Sequence, residues 1–94
     1  MLYNITFSEE AEEDIFSAYV WYEQQRAGLG DEFKNAVKEA ASSIQSNPLL
    51  YGFRKKNIRG CNVKRFPYLI LFFVERYNIR VIYISHTSKK PRKL

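Results

Sequence analysis

The only histidine of this 94-residue chain, His86, follows an apolar stretch and precedes a basic segment. Imidazole exchanges protons near neutral pH, so this side chain is a candidate acid or base. Arg59 and Arg65 carry guanidinium groups, which suit bidentate contacts with a phosphate. His86 is therefore either part of a site that handles phosphate or the polar end of a core strand, and both interpretations remain open.

Basic side chains are concentrated in the second half of the chain. Residues 1–47 hold nine acidic and three basic residues, whereas residues 48–94 hold twelve basic residues and one acidic residue. A surface divided in this way favours a polyanionic partner, either nucleic acid or an acidic protein segment. The alternative is that each run of charged residues binds no partner and is only solvated surface. The residues that we expect to bind nucleic acid are Lys55, Lys56, Lys64, Lys89, Lys90 and Arg92.

The helices that would position these groups are predicted in the first half. Residues 2–7 are rich in β-formers and predict a first strand, after which Ser8 can cap a helix. Gly28 and Gly30 predict the turn to a second helix, which we expect over residues 31–45 and which ends before Pro48. Two helices joined this closely should form an antiparallel hairpin.

Three strands are predicted in the second half, at about residues 57–64, 68–76 and 79–86, after an irregular basic link, "LLYGFRKK". The chain is therefore predicted to be a single α+β domain over residues 1–94. In that domain a two-helix hairpin packs on a small antiparallel β-sheet, in the order β-α-α-β-β-β. The length, with no linker or repeat, is that of one domain with a modest core.

Two further side chains indicate what kind of protein this is. Trp21 falls off the apolar stripe of the first helix, so we expect it to be an exposed anchor for a protein partner. Cys61 is the only cysteine and forms no internal disulfide, and neither it nor His86 belongs to a metal-binding spacing. We expect no metal and no cofactor.

No apolar run reaches the length of a membrane span, so a cytoplasmic protein without membrane contact is expected.

Four segments together resemble the RelE/ParE superfamily of type II toxins. They are "YVWYEQQRAGLGDEF" (19–33), "NP" (47–48), "VKRFPYLILF" (63–72) and "ISHTSKKP" (84–91), and they occur in the family's order over nearly the whole chain. The resemblance implies the same β-α-α-β-β-β fold and a plasmid-stabilisation-like toxin that is neutralised by a cognate antitoxin. The C-terminal segment of that antitoxin wraps the toxin in family members. An acidic, amphipathic segment that folds on binding would suit the charges of this chain.

The resemblance leaves two mechanisms open. RelE-like members bind the ribosome and cut mRNA without a metal, whereas ParE-like members poison DNA gyrase and cut nothing. The ribonuclease branch implies catalytic roles for Arg65, in "KRFPY", and for His86, in "ISH", with Arg59 helping to hold the phosphate. Some ribonuclease members use a glutamate between the second helix and the central strands, but residues 48–73 contain no carboxylate. The "WYEQQRAGLG" hairpin resembles the gyrase branch at least as well. An inactive binding relative is a third possibility.

Overall fold

The computed structural model describes residues 3–88 and contains two helices and five strands. In chain order they are β1 (Asn4–Phe7), α1 (Glu9–Gln25), α2 (Leu29–Ser46), a 3₁₀ turn (Pro48–Leu50), β2 (Phe53–Lys55), β3 (Ile58–Asn62), β4 (Tyr68–Glu75) and β5 (Asn78–His86). The predicted α+β class, with a helical hairpin on a sheet, is confirmed. Lys89, Lys90 and Arg92 lie outside the described residues. Neither described helix is long and apolar enough to cross a membrane.

The start of α1 follows from its capping residue. The Ser8 hydroxyl accepts a hydrogen bond from the Ala11 amide at 3.0 Å. Three acidic residues in the first turn lie at the positive end of the helix dipole. α2 begins at Leu29 and not at residue 31 as predicted. The turn before it needs only Gly28, whose φ is 90°. Gly30 is inside α2, where the absence of a Cβ lets the two helices approach closely.

The sheet has the strand order β1-β5-β4-β3-β2 and differs from the expectation in two respects. β1 pairs in parallel with β5, so the sheet is mixed rather than wholly antiparallel. The predicted irregular link also contains a short edge strand, β2, which pairs with β3 through Phe53 and Arg59. A parallel neighbour cannot be reached by a tight turn, and here the connection passes through both helices and three strands.

The core lies between the helices and one face of the sheet. Phe33 and Ile44 of α2 belong to the same hydrophobic cluster as Ile70 and Phe72 of β4, and all four are fully buried. Each such side chain contributes about 1.5–3 kcal/mol through burial. At one end of the core the aromatic rings of Tyr22, Phe33, Phe66 and Tyr68 contact one another, with centroids 5.0–6.3 Å apart. This aromatic cluster supports the end of β5, where His86 lies.

One edge of β5 is covered by α1 where β1 ends. The pairing of β1 with β5 reaches only Val81. Beyond that point the Ser8 hydroxyl donates to the Ile82 carbonyl oxygen at 2.7 Å, and the Asp14 carboxylate accepts from the Ile84 amide at 3.0 Å. Side chains of α1 and its cap therefore take over hydrogen bonds that a longer β1 would make.

Candidate functional site

A cleft of about 580 Å³ separates α1 from the end of β5, and we call it the α1–β5 cleft. It brings together Trp21 and His86, which the sequence indicated separately, one as a partner anchor and the other as a catalytic group. Such a volume is typical of ligand-binding clefts. Its lining residues are Asp14, Ser17, Ala18, Trp21, Tyr22, Tyr68, Ile84 and His86.

His86 is half-buried on the helix-facing side of β5. Its ring packs edge-on against Tyr68, with centroids 5.0 Å apart. The Ser88 amide donates to the His86 Nδ1 atom at 3.2 Å, and the Ser88 hydroxyl lies 2.9 Å from the same atom. Because Nδ1 accepts from the amide, the neutral ring carries its proton on Nε2. The side chain is thus oriented both by the aromatic cluster and by the turn that follows β5.

Asp14 places a carboxylate in the same cleft as His86. The resemblance to the ribonuclease branch implied a carboxylate after the second helix, whereas this one comes from α1. Asp14 follows Ala11 by three residues and precedes Ala18 by four, so it shares their buried stripe. A charged residue on an apolar stripe is the signal that would have found it, and its contact with the Ile84 amide explains the position.

Arg65 lies at the same end of the molecule, in the turn between β3 and β4. Its φ of 70° is in the left-handed region, which costs a non-glycine residue about 1 kcal/mol. The guanidinium pairs with Glu32 at 3.6 Å and lies 5.7 Å from the centre of the Phe66 ring. Its side chain is 66% exposed, so the pair contributes about 0–1 kcal/mol and leaves Arg65 accessible to an anion.

Arg59 lies far from His86. It pairs with Phe72 across β3 and β4, whereas His86 pairs with Tyr68 across β4 and β5. Four residues along a strand and two strand spacings place the two Cα atoms roughly 16 Å apart. The Arg59 Nη1 atom donates to the Tyr51 carbonyl oxygen at 2.6 Å, and the guanidinium lies 4.0 Å from the centre of the Phe53 ring. These contacts direct it away from the α1–β5 cleft.

The described lysines do not converge on His86 either. Lys55 and Lys56 are exposed at the turn between β2 and β3, beside a separate groove of about 330 Å³. Lys64 lines another groove of about 350 Å³ with Cys61 and Tyr51. Within residues 3–88, no three His, Cys, Asp or Glu side chains are grouped so that they could hold a metal ion. The predicted nucleic-acid-binding residues that the structure describes, Lys55, Lys56 and Lys64, therefore lie on more than one surface.

Comparison with known proteins identifies the family. A model of the ParE toxin of the type II toxin–antitoxin system parDE matches residues 5–91. The chain belongs to the ParE toxin family. As the superfamily resemblance predicted, it is the toxin component of a type II toxin–antitoxin system, and its partner is a cognate antitoxin. A search of curated proteins found no match.

Two solved structures share the fold of this ParE-family toxin. A chain of the chromosomal ParDE toxin–antitoxin system from P. aeruginosa superposes with a TM-score of 0.82 at 14% identity, covering 93% of this chain and 98% of that one. A chain of the YoeB dimer from Staphylococcus aureus superposes with a TM-score of 0.60 at 18% identity, covering 90% and 97%. At these identities the likeness shows the fold alone.

The toxin also has an apolar surface on the sheet face opposite the helices, which we call the open face. Since Ile70 and Phe72 point to the helices, Leu69, Leu71 and Phe73 point the other way. Leu71 is buried, whereas Leu69 and Phe73 are half-exposed. The Arg54 side chain covers Gly60 beside Leu69, so a basic group borders this apolar surface.

The tyrosines of the α1–β5 cleft are proton donors at neutral pH. Burial raises the pKa of Tyr22 above its ordinary value of 10.0. Burial also raises the pKa of Tyr68, and the neighbouring Tyr22 and Asp14 add to the shift. Both hydroxyls therefore remain protonated, so neither can serve as a general base at neutral pH. The proton-accepting groups that line the cleft are Asp14 and His86.

Proposed function

We propose that this toxin arrests growth by poisoning DNA gyrase, as ParE-like members of the superfamily do, and that it does not cut mRNA. The observation that carries the proposal is the distance between Arg59 and His86, roughly 16 Å between Cα atoms. Metal-independent RNA cleavage needs a base, an acid and phosphate-binding cations around one scissile phosphate. Here Arg59 binds backbone carbonyls instead, and Lys55 and Lys56 lie at another groove.

A ribonuclease is the second candidate, and one observation favours it. Asp14 and His86 line the same cleft, so Asp14 supplies the second proton-transfer group, which the sequence lacked after the second helix. Arg65 lies at the same end of the molecule and is exposed enough to bind a phosphate. On this hypothesis His86 and Asp14 exchange protons with the substrate, and Arg65 stabilises the negative charge.

We further propose that the antitoxin binds the open face. Leu69, Leu71 and Phe73 provide the apolar contact, and Arg54 and Arg80 provide positive charge at its margins. An acidic, amphipathic segment that orders on binding matches both features. Co-expression of the toxin with the antitoxin should restore growth, and Phe73→Asp should weaken the complex, whereas Tyr77→Asp at the turn after β4 should not.

The target is tested with purified toxin in two parallel assays, supercoiling by gyrase and protein synthesis in a cell-free extract. We expect the wild type to inhibit supercoiling and to stabilise cleaved DNA while the mRNA remains intact. His86→Ala should retain this activity. Discrete mRNA cuts that disappear in His86→Ala, with supercoiling unaffected, would establish the ribonuclease instead. No effect in either assay, and no growth arrest on induction, would indicate an inactive relative.

A matched pair of arginine variants tests whether Arg65 contacts the target. Arg65 and Arg76 are both exposed and both have a positive φ, of 70° and 57°. Replacement by alanine therefore imposes a similar backbone cost at both positions. Arg76 lies in the turn between β4 and β5, at the opposite end of β4 from the α1–β5 cleft. Arg65→Ala should weaken inhibition of the target, and Arg76→Ala should not. Equal loss in both variants would contradict a role for Arg65 in binding.

A further inference from the structure

We infer that the β2–β3 hairpin binds single-stranded nucleic acid, by stacking a base on Phe53 and contacting phosphates through Lys55 and Lys56. The inference does not depend on the proposed action on gyrase, because it concerns a contact that the toxin itself makes with nucleic acid. Three observations carry it: the exposed position in which the Phe53 ring is held, the positive charge around this ring, and the irregular edge of β2.

Phe53 carries an aromatic ring that the toxin holds in contact with solvent. The residue is 61% exposed, and the Arg59 guanidinium lies 4.0 Å from the centre of its ring. Arg59 is fixed in turn, because its Nη1 atom donates to the Tyr51 carbonyl oxygen at 2.6 Å. The ring is therefore backed on one side by a planar cation and presents its other side to solvent. An ordered, exposed ring of this kind is a stacking platform for a base.

The charge around this ring favours a polyanion. Residues 48–74 contain no acidic residue, and four basic residues lie within six positions of the hairpin: Arg54, Lys55, Lys56 and Arg59. Lys55 and Lys56 are exposed, and their Cα atoms are at most roughly 10 Å from that of Phe53 along the chain. A nucleotide whose base stacks on Phe53 therefore has its phosphates within reach of both lysines. Glu10 lines the groove beside them, so we place the phosphates over the outer surface of the hairpin and not in that groove.

The edge of β2 argues against an added protein strand as the partner. β2 has only three residues, Phe53–Lys55, and its register with β3 shifts between Phe53 and Lys55. Short, irregular edge strands that carry lysine resist pairing with another chain. Leu49 and Leu50 are also exposed just before β2, so the experiment has to separate nucleic-acid binding from an apolar contact with a protein.

Fluorescence anisotropy of a labelled oligo(dT) of about twelve nucleotides, titrated with the full-length toxin, measures the binding. A second probe has the same length and the same phosphates but no bases, so phosphate contacts elsewhere on the toxin contribute equally to both probes. We expect oligo(dT) to bind about tenfold more tightly than the abasic probe. Oligo(U) is titrated in the same way, and whichever of oligo(dT) and oligo(U) binds more tightly identifies the natural strand as DNA or RNA. Equal affinity for oligo(dT) and the abasic probe would overturn the inference.

A variant of the ring isolates the stacking contribution. Phe53→Leu removes the aromatic ring but keeps an apolar side chain, so it should weaken oligo(dT) binding about tenfold and leave binding of the abasic probe unchanged. Tyr77→Leu removes a ring of similar exposure, 59%, from the turn after β4 and should change neither affinity. If Phe53→Leu bound oligo(dT) as tightly as the wild type and weakened only the complex with the antitoxin, the ring would serve a protein partner and the inference would be wrong.

A variant of the turn isolates the charge contribution. Lys56 has a φ of 49°, where glycine is less strained than lysine, so Lys56→Gly should keep the fold. It should weaken binding of both probes and lower the steepness of log affinity against log salt by about 0.7. Lys38→Gln, at an exposed position of α2, removes the same charge away from the hairpin and should leave both quantities unchanged. An equal effect of the two lysine variants would contradict a phosphate contact at the hairpin.

Discussion

Gly30→Ala tests how closely the two helices of the toxin approach each other. Gly30 lies in the first turn of α2 and faces α1. A Cβ atom at this position would lie 2.7 Å from the Tyr19 carbonyl oxygen and 2.6 Å from the Glu23 Cγ atom. The Glu23 side chain can rotate, but the Tyr19 carbonyl belongs to the backbone of α1 and cannot. The helices must therefore separate at this end to admit one methyl group.

The expected sign follows from one stabilising and two destabilising contributions. Alanine in place of glycine inside a helix stabilises it by about 1 kcal/mol. Overpacking of a close contact costs about 1–3 kcal/mol. Separation of the helices also weakens the hydrogen bond from the Gly30 amide to the Glu23 Oε1 atom, which is 2.8 Å long and contributes about 1–2 kcal/mol. We therefore expect Gly30→Ala to lower the free energy of unfolding by about 1–3 kcal/mol.

Urea unfolding followed by circular dichroism measures the effect, with Gly52→Ala as the matched control. A Cβ at Gly52 would contact nothing within 4 Å, and the backbone there requires no positive φ. Gly52→Ala should leave stability unchanged or raise it by up to about 1 kcal/mol. If Gly30→Ala were as stable as the wild type, the close contact between Tyr19 and Gly30 would be refuted.

Two further predictions concern buried polar groups. Ser8→Ala removes both the cap of α1 and the donor to the Ile82 carbonyl oxygen. It should therefore lower the free energy of unfolding, measured in urea, by about 1–3 kcal/mol. Ser46→Ala, at an exposed helix end, is the control. Burial raises the pKa of the Cys61 thiol above 9.0, so Cys61 should react with a disulfide reagent far more slowly in the folded toxin than in denaturant. Because the thiol ionises more readily when unfolded, its contribution to stability is present below pH 9.0 and is lost as the pH rises through the folded pKa. Immediate labelling of the folded toxin would contradict this.

The helices and most strands could be predicted from the sequence because their signals are local. The cap at Ser8, the glycine turn at Gly28 and the stop before Pro48 each depend on neighbouring residues. The short edge strand β2 was missed, since its three residues are all exposed and show no alternation of apolar and polar side chains. The extra residue Ile82, which shifts the register between β4 and β5, is likewise invisible in the pattern.

Local sequence signals are enough to predict which residues form the helices, which side chains face the core, and that acidic and basic residues occupy different halves of the chain. Whether two candidate residues meet depends on how the helices and strands pack. Asp14 and His86 line one cleft because β5 returns to α1 from the far end of the chain, and Asp14 then binds the Ile84 amide. Arg59 and His86 were both expected at one phosphate-binding site. Their Cα atoms lie roughly 16 Å apart, because the register across β4 separates them. Helix and turn signals act over a few residues, whereas strand order and register arise only when the whole core packs.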